Sequence, residues 1–140
     1  MIEGACFCGT VRFRIAVPPT KLYQCHCSEC RRVTGAAANA SCLVPVNDFR
    51  WLSGEQDITQ YLAPSGYRSH FCARCGSSVP NRMKHFDLYW VPAGNLPGDL
   101  DMQVAVHLCV ASKAVWDEVV TTGQRFDAVP NIDTLLKLLR

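Results

Sequence analysis

Residues Gly4-Ala5-Cys6-Phe7-Cys8-Gly9-Thr10-Val11-Arg12-Phe13 join a Cys-x-Cys pair to the start of an alternating apolar segment. The theme returns twice, as Cys25-His26-Cys27-Ser28-Glu29-Cys30 and as Phe71-Cys72-Ala73-Arg74-Cys75-Gly76-Ser77. Seven of the nine cysteines in this 140-residue chain fall in these three groups, and Cys42 and Cys109 stand alone. Where disulfides do not persist, clustered thiols serve as metal ligands or redox centres, and an odd count fits a full disulfide framework poorly. Met1-Ile2-Glu3-Gly4 lacks the basic segment and apolar stretch of a signal peptide. The expectation is a cytoplasmic protein whose cysteines bind metal.

Zinc in a closed structural site takes four ligands in a tetrahedron, often all thiolate, whereas a catalytic site keeps three protein ligands and one exchangeable position. Seven clustered cysteines divide naturally into four and three. A Cys-x-x-Cys step lets two sulfurs reach one ion from a tight turn, and Gly76 suits the backbone after the second ligand. Spacing leaves two partitions open. In one, Cys6 and Cys8 join Cys72 and Cys75 in a closed site, and Cys25, Cys27 and Cys30 form an open one. In the other, Cys27/Cys30 and Cys72/Cys75 make a zinc ribbon, leaving Cys6, Cys8 and Cys25 as free thiols or ligands of a second ion.

Working outward, Val11, Phe13, Ile15 and Val17 alternate with Thr10, Arg12, Arg14 and Ala16, the pattern of a half-buried strand. Pro18-Pro19 ends it, since proline cannot donate to a sheet ladder. Ser28 to Thr34 reads as one or two helical turns, capped by Ser28 and ended by Gly35. Strands are expected at residues 38–46, 49–52, 57–62, 67–71, 87–91 and 102–110. Short helices are expected at 112–120 and 133–139, the latter with a leucine-rich face for the core. Many short strands with turns between them imply a mostly antiparallel β fold in one domain spanning residues 1–140.

Composition narrows the function. About half of the residues are hydrophobic, enough for a core at this length. The formal charge of +2 argues against nucleic acid as a partner, because gripping phosphates needs clustered Lys and Arg. No apolar run approaches the roughly 20 residues of a membrane span.

The three cysteine motifs, in this order, resemble those of the glutathione-dependent formaldehyde-activating enzyme family, which includes centromere protein V. The likeness extends through Gly35, and Ser112-Lys113 and Trp116 sit where the family has Ser-Lys followed by Trp. It covers roughly residues 4 to 126. The resemblance implies a β-tent, short antiparallel sheets braced by zinc, with two zinc ions per chain. It assigns Cys6, Cys8, Cys72 and Cys75 to the closed site and Cys25, Cys27 and Cys30 to the catalytic one. It implies a carbon–sulfur lyase that reversibly joins formaldehyde, or a related small aldehyde, to the thiol of glutathione. Glutathione is expected in a groove near Arg31 and Gly35. Two positions depart from the family pattern. Gly94-Asn95-Leu96 is followed by Pro97 rather than Asp, and Gly123-Gln124-Arg125-Phe126 lacks a Leu-Pro pair. A non-catalytic β-tent binding module or chaperone is the alternative, and a redox or metal-buffer protein a third reading.

The remaining residues receive plainer readings. His26, between two ligands, is the natural place for a proton carrier or extra ligand. One residue between two thiolates usually points away from the metal, however, and that reading is preferred. His70 and His107 are expected as hydrogen-bonded strand residues and His85 in a loop. Arg31 and Arg32 suit either a peptide carboxylate or solvent. Cys42 and Cys109 read as buried small hydrophobes, and Trp51, Trp90 and Trp116 as core or rim aromatics.

Overall fold

The computed structural model describes all 140 residues. In chain order the first half holds β1 (Ile2–Ala5), β2 (Arg12–Ile15), β3 (Lys21–Cys25), α1 (Ser28–Thr34), β4 (Asn39–Pro45) and β5 (Phe49–Ser53). The hairpin strands β6 (Ile58–Leu62) and β7 (Arg68–Cys72) follow, then β8 (Asn81–Arg82) and β9 (Leu88–Pro92). The chain closes with β10 (Gln103–Leu108), β11 (Gln124–Arg125) and α2 (Ile132–Leu139). The protein is thus mostly β with two helices.

These elements fall into two compact units, Met1–Pro18 with Leu43–Leu100, and Pro19–Cys42 with Asp101–Arg140. In the first unit, β1, β2 and β5 form a three-stranded antiparallel sheet, and β6–β7 and β8–β9 pair as antiparallel hairpins. Val11, Phe13 and Ile15 are fully buried, as their alternation requires, but Val17 lies beyond the end of β2 and is exposed. Phe13 stacks on Phe49, which stacks on Tyr89 in turn, and Trp51 meets Phe49 edge-on. Cys6, Val11, Cys72 and Val79 form a buried cluster with Trp51 and Ile58 packed against it. Two of the metal-binding candidates therefore belong to the unit's core.

In the second unit the order is β11-β10-β3-β4. Only β3–β4 is antiparallel here; β10 runs parallel to both β3 and β11. Antiparallel pairing prevails in the other strand pairs, as expected, and β10 is the exception. A parallel pair needs a long crossover, and the chain between β3 and β10 supplies one. The helix expected at residues 112–120 is absent as well. A 3-10 turn at Val110–Ser112 is followed by irregular chain. A helix there would have had Val115, Trp116 and Val120 to bury, and all three are exposed. The C-terminal helix does form. Asn131 caps it by accepting from the backbone N–H of Thr134, and Leu135 is buried.

Gly4 lies opposite Phe13 in the β1–β2 register, and a Cβ there would overlap the Phe13 ring. That ring is held by Phe49, so it cannot give way. Gly4→Ala is expected to lower stability by roughly 1–3 kcal/mol through overpacking. Urea unfolding of the metal-loaded protein reads this directly, and an unchanged midpoint would contradict the packing described.

Candidate metal centre

Two tight turns build the first thiol cluster. After β1, the Gly9 N–H bonds back to the Cys6 carbonyl, and the Val11 N–H points at Cys6 Sγ at 3.3 Å. After β7, the Gly76 N–H bonds to the Cys72 carbonyl. Gly9 and Gly76 both take positive φ, at 77° and 74°, which a side chain would resist. Each turn thus presents two sulfurs to one point. Cys6 Sγ lies 3.7 Å from Cys8 Sγ, and Cys8 Sγ lies 3.9 Å from Cys72 Sγ. All four sulfurs, with Cys75, fall within 4.8 Å of one another. With zinc–sulfur bonds of about 2.3 Å, the edge of a tetrahedral site is roughly 3.8 Å. The four thiols fit such an ion without rearrangement.

Their protonation points the same way. Hydrogen bonding from the Thr10 hydroxyl and backbone pulls the Cys8 thiol down to about 6. The Ser77 backbone lowers that of Cys75, whereas burial pushes Cys72 up to about 11. Four sulfurs this close can all ionise only around a cation, because each thiolate repels the others.

The second cluster comes from one short segment. Cys25 ends β3, Cys27 caps α1 by accepting the Cys30 N–H at 3.3 Å, and Cys30 sits in the helix. The cap is therefore Cys27 rather than Ser28. Gly35 ends α1 in the left-handed region, its N–H bonded to the Arg31 carbonyl. The three sulfurs lie within 4.8 Å of one another, with Cys25 and Cys30 buried and Cys27 half-buried. The Cys30 sulfur and burial raise the Cys25 thiol well above its usual range, and burial raises Cys27. Both clusters therefore have the donors and spacing to hold a metal ion.

His26 takes no part as a ligand. Its Nδ1–H donates to Asp117 Oδ2 at 2.5 Å, and its Nε2 lies 2.9 Å from His107 Nδ1. The other nitrogen of His107, Nε2, lies 2.8 Å from the Thr121 hydroxyl. A carboxylate only accepts, so the His26 Nδ1–H is the donor to Asp117, and the chain of hydrogen bonds continues through His107 to the Thr121 hydroxyl. Burial and the neighbouring His26 push the His107 pKa down. His26, His107 and Asp117 are all buried. Both nitrogens of His26 are satisfied, leaving none for metal. Asp117 was hidden from sequence reasoning because residues 112–120 read as a helix; its partner lies 91 residues away.

Arg31 is placed beside the second cluster by α1, but its guanidinium donates to the Ser112 carbonyl at 2.9 Å. Beyond Gly35, residues Ala36 to Ala38 line a cavity of about 320 Å³ with Gln24, His26 and the 117–121 loop. Cys42 is buried, as expected, whereas Cys109 is half-buried.

The family profile described as "Glutathione-dependent formaldehyde-activating enzyme" matches residues 1–112. The chain belongs to that family. A Halomonas elongata protein provisionally named glutathione-dependent formaldehyde-activating enzyme is 32% identical over 136 residues, covering 89% of this chain and 84% of its own. A crystal structure of a Rhodobacter sphaeroides protein shares the fold at a TM-score of 0.57 and 24% identity, over 69% of this chain and 89% of its own.

The two clusters should differ on mutation. Structural thiolate sites are worth roughly 10–16 kcal/mol in apparent zinc binding, so Cys72→Ser should give insoluble or metal-poor protein. Cys27→Ser should stay soluble and lose one ion, by metal analysis. Soluble, fully loaded Cys72→Ser would contradict this. Asp117→Ala strands the buried His26 Nδ1–H and should cost roughly 1–3 kcal/mol, while Arg31→Ala, on the surface, should cost far less. Equal losses in urea unfolding would count against the buried network.

Proposed function

We propose that the protein is a zinc-dependent carbon–sulfur lyase that reversibly condenses formaldehyde, or a related small aldehyde, with glutathione to give S-hydroxymethylglutathione. The observation that carries this reading is the inequality of the two thiol clusters, four sulfurs in one and three in the other. Four thiolates complete a tetrahedron, while three leave one position for a ligand from outside. Family membership supplies the substrates, and the provisional name of the Halomonas relative agrees with it.

In this reading Cys6, Cys8, Cys72 and Cys75 hold a structural zinc, and Cys25, Cys27 and Cys30 hold a catalytic one. The metal bound there supplies a Lewis-acid centre that lowers the pKa of a substrate thiol. The chain's residues do the rest. Half-buried Cys27 leaves one side of the cluster open to solvent. Glutathione docks near Arg31 and Gly35, and the cavity of about 320 Å³ that begins at Ala36 is within the range of small-ligand pockets, about 300–1,000 Å³. The glutathione sulfur attacks the aldehyde carbon, forming the C–S bond, and the carbonyl oxygen takes up a proton. Both nitrogens of His26 are engaged, so the thiol proton leaves by another route than that ring.

We read the sheets as a β-tent and the chain as one folding domain, because each compact unit is assembled from two separated segments. No helix is long and apolar enough to cross a membrane. Nine free thiols favour the reducing cytoplasm. The near-balanced charge disfavours nucleic acid as a partner.

Two-dimensional exchange NMR of formaldehyde, glutathione and their adduct tests the activity. Zinc-loaded wild type should accelerate exchange, and Cys27→Ser, still holding the four-thiol site, should not. No acceleration by protein carrying two zinc ions would point instead to a non-catalytic binding module.

A further inference from the structure

We infer that the first compact unit carries a small-molecule site of its own, a cavity suited to a neutral pyranose sugar. The site shares no residue with either thiol cluster and stands apart from the lyase reading.

The cavity measures about 440 Å³, and every residue that lines it belongs to the Leu43–Leu100 segment. Small-ligand pockets span about 300–1,000 Å³. Its floor is aromatic. Phe49 stacks on Tyr89 with ring centroids 3.9 Å apart, which covers one face of Tyr89. Trp51 stands at 84° to Tyr89, with centroids 6.1 Å apart. The two rings, both half-buried, therefore make a corner rather than a slot. Ile58 and buried Pro80 complete the apolar floor.

Polar groups reach this floor from three separate elements. Glu55 lies in the 3-10 turn before β6, Gln60 on β6 and Asn81 on β8. Gln60 is the register partner of His70, so the two project from one face of the β6–β7 hairpin. His70 Nε2 is buried and has no hydrogen-bond partner, the one buried side-chain atom of the lining left so. A buried nitrogen without a partner is unfavourable, and a ligand hydroxyl relieves it once the imidazole turns toward the cavity. Arg82 lines the cavity opposite Tyr89, but its guanidinium donates to Asp87 at 2.9 Å, so its charge is already balanced.

These features decide the class of ligand. With Arg82 paired and Glu55 on the rim, an anion gains nothing here. A flat heterocycle is held best between two parallel rings, and perpendicular Trp51 and Tyr89 offer no such slot. A pyranose has one face of C–H bonds to lay against an aromatic ring. Its hydroxyls radiate from the edge, and each both donates and accepts. The Gln60 and Asn81 amides supply donors and acceptors, the Glu55 carboxylate supplies acceptors, and their three elements place them around the floor rather than along one edge.

Proton–nitrogen-15 NMR of the metal-loaded full chain tests this through the tryptophan indole N–H resonances. The probes are the methyl glycosides of glucose, galactose and mannose, with adenosine as the flat-ring control. At least one glycoside should shift the Trp51 resonance saturably and leave that of Trp116, in the other compact unit, in place. Gln60→Ala and Asn81→Ala should each weaken that binding about tenfold, the loss of one hydrogen bond. Should Asn81→Ala lower the unfolding midpoint, Gln60→Ala, at an exposed position, decides alone. A Trp51 resonance that no glycoside moves would overturn the inference. So would tighter binding of adenosine at Trp51, or wild-type affinity for the glycoside in Gln60→Ala.

Discussion

Mutual repulsion among closely packed sulfurs is the constraint on which the rest of the protein depends. Cys8 Sγ lies 3.7 Å from Cys6 Sγ and 3.9 Å from Cys72 Sγ, beside the apolar cluster that Cys6 and Cys72 form with Val11 and Val79. As neutral thiols they sit at ordinary contact distance, and as thiolates they tolerate that spacing only around a cation. An ion bound there would cross-link residues 6–8 to 72–75, which are remote in sequence. The hairpin β1–β2 and the strand β7 both lead directly into the four-thiol cluster, so the cluster and the sheet core of the first unit are built together.

The second cluster obeys a different logic. Its sulfurs come from six consecutive residues, so it needs no distant segment to assemble. What the distant segment supplies is orientation. Asp117 and His107 engage the two nitrogens of His26, and Thr121 holds the far nitrogen of His107. A buried histidine with one nitrogen unsatisfied would cost free energy and would be available to the metal. Here it is neither, and the Cys25–Cys27 segment is clamped from its buried side. The fold thereby separates two jobs: the three sulfurs stay available to an ion, and the imidazole between two of them holds the backbone.

Much of the architecture was legible from local pattern. Period-two alternation at Val11, Phe13 and Ile15 marked β2, and a Gly after Thr34 marked the end of α1, because both signals act through neighbouring residues. Reading failed where a side chain's partner was remote. The 112–120 segment has no internal feature that forbids a helix, but Asp117 is committed to His26 and the chain follows that bond. Parallel pairing of β10 with β3 was equally hidden, since strand direction depends on the crossover and not on the residues of either strand.

The sequence by itself determined that this chain carries seven clustered thiols in three motifs, which family the motifs resemble, and where most strands and both helices lie. These are properties of short spans, set by residue type and spacing. Only the tertiary structure decided which thiols meet. The Cys6/Cys8 and Cys72/Cys75 turns share one point, and Cys27 and Cys30 gather with Cys25. It also decided that His26 is spent on Asp117 and His107. Both outcomes depend on distances between residues far apart in the chain, and a linear pattern holds no record of them.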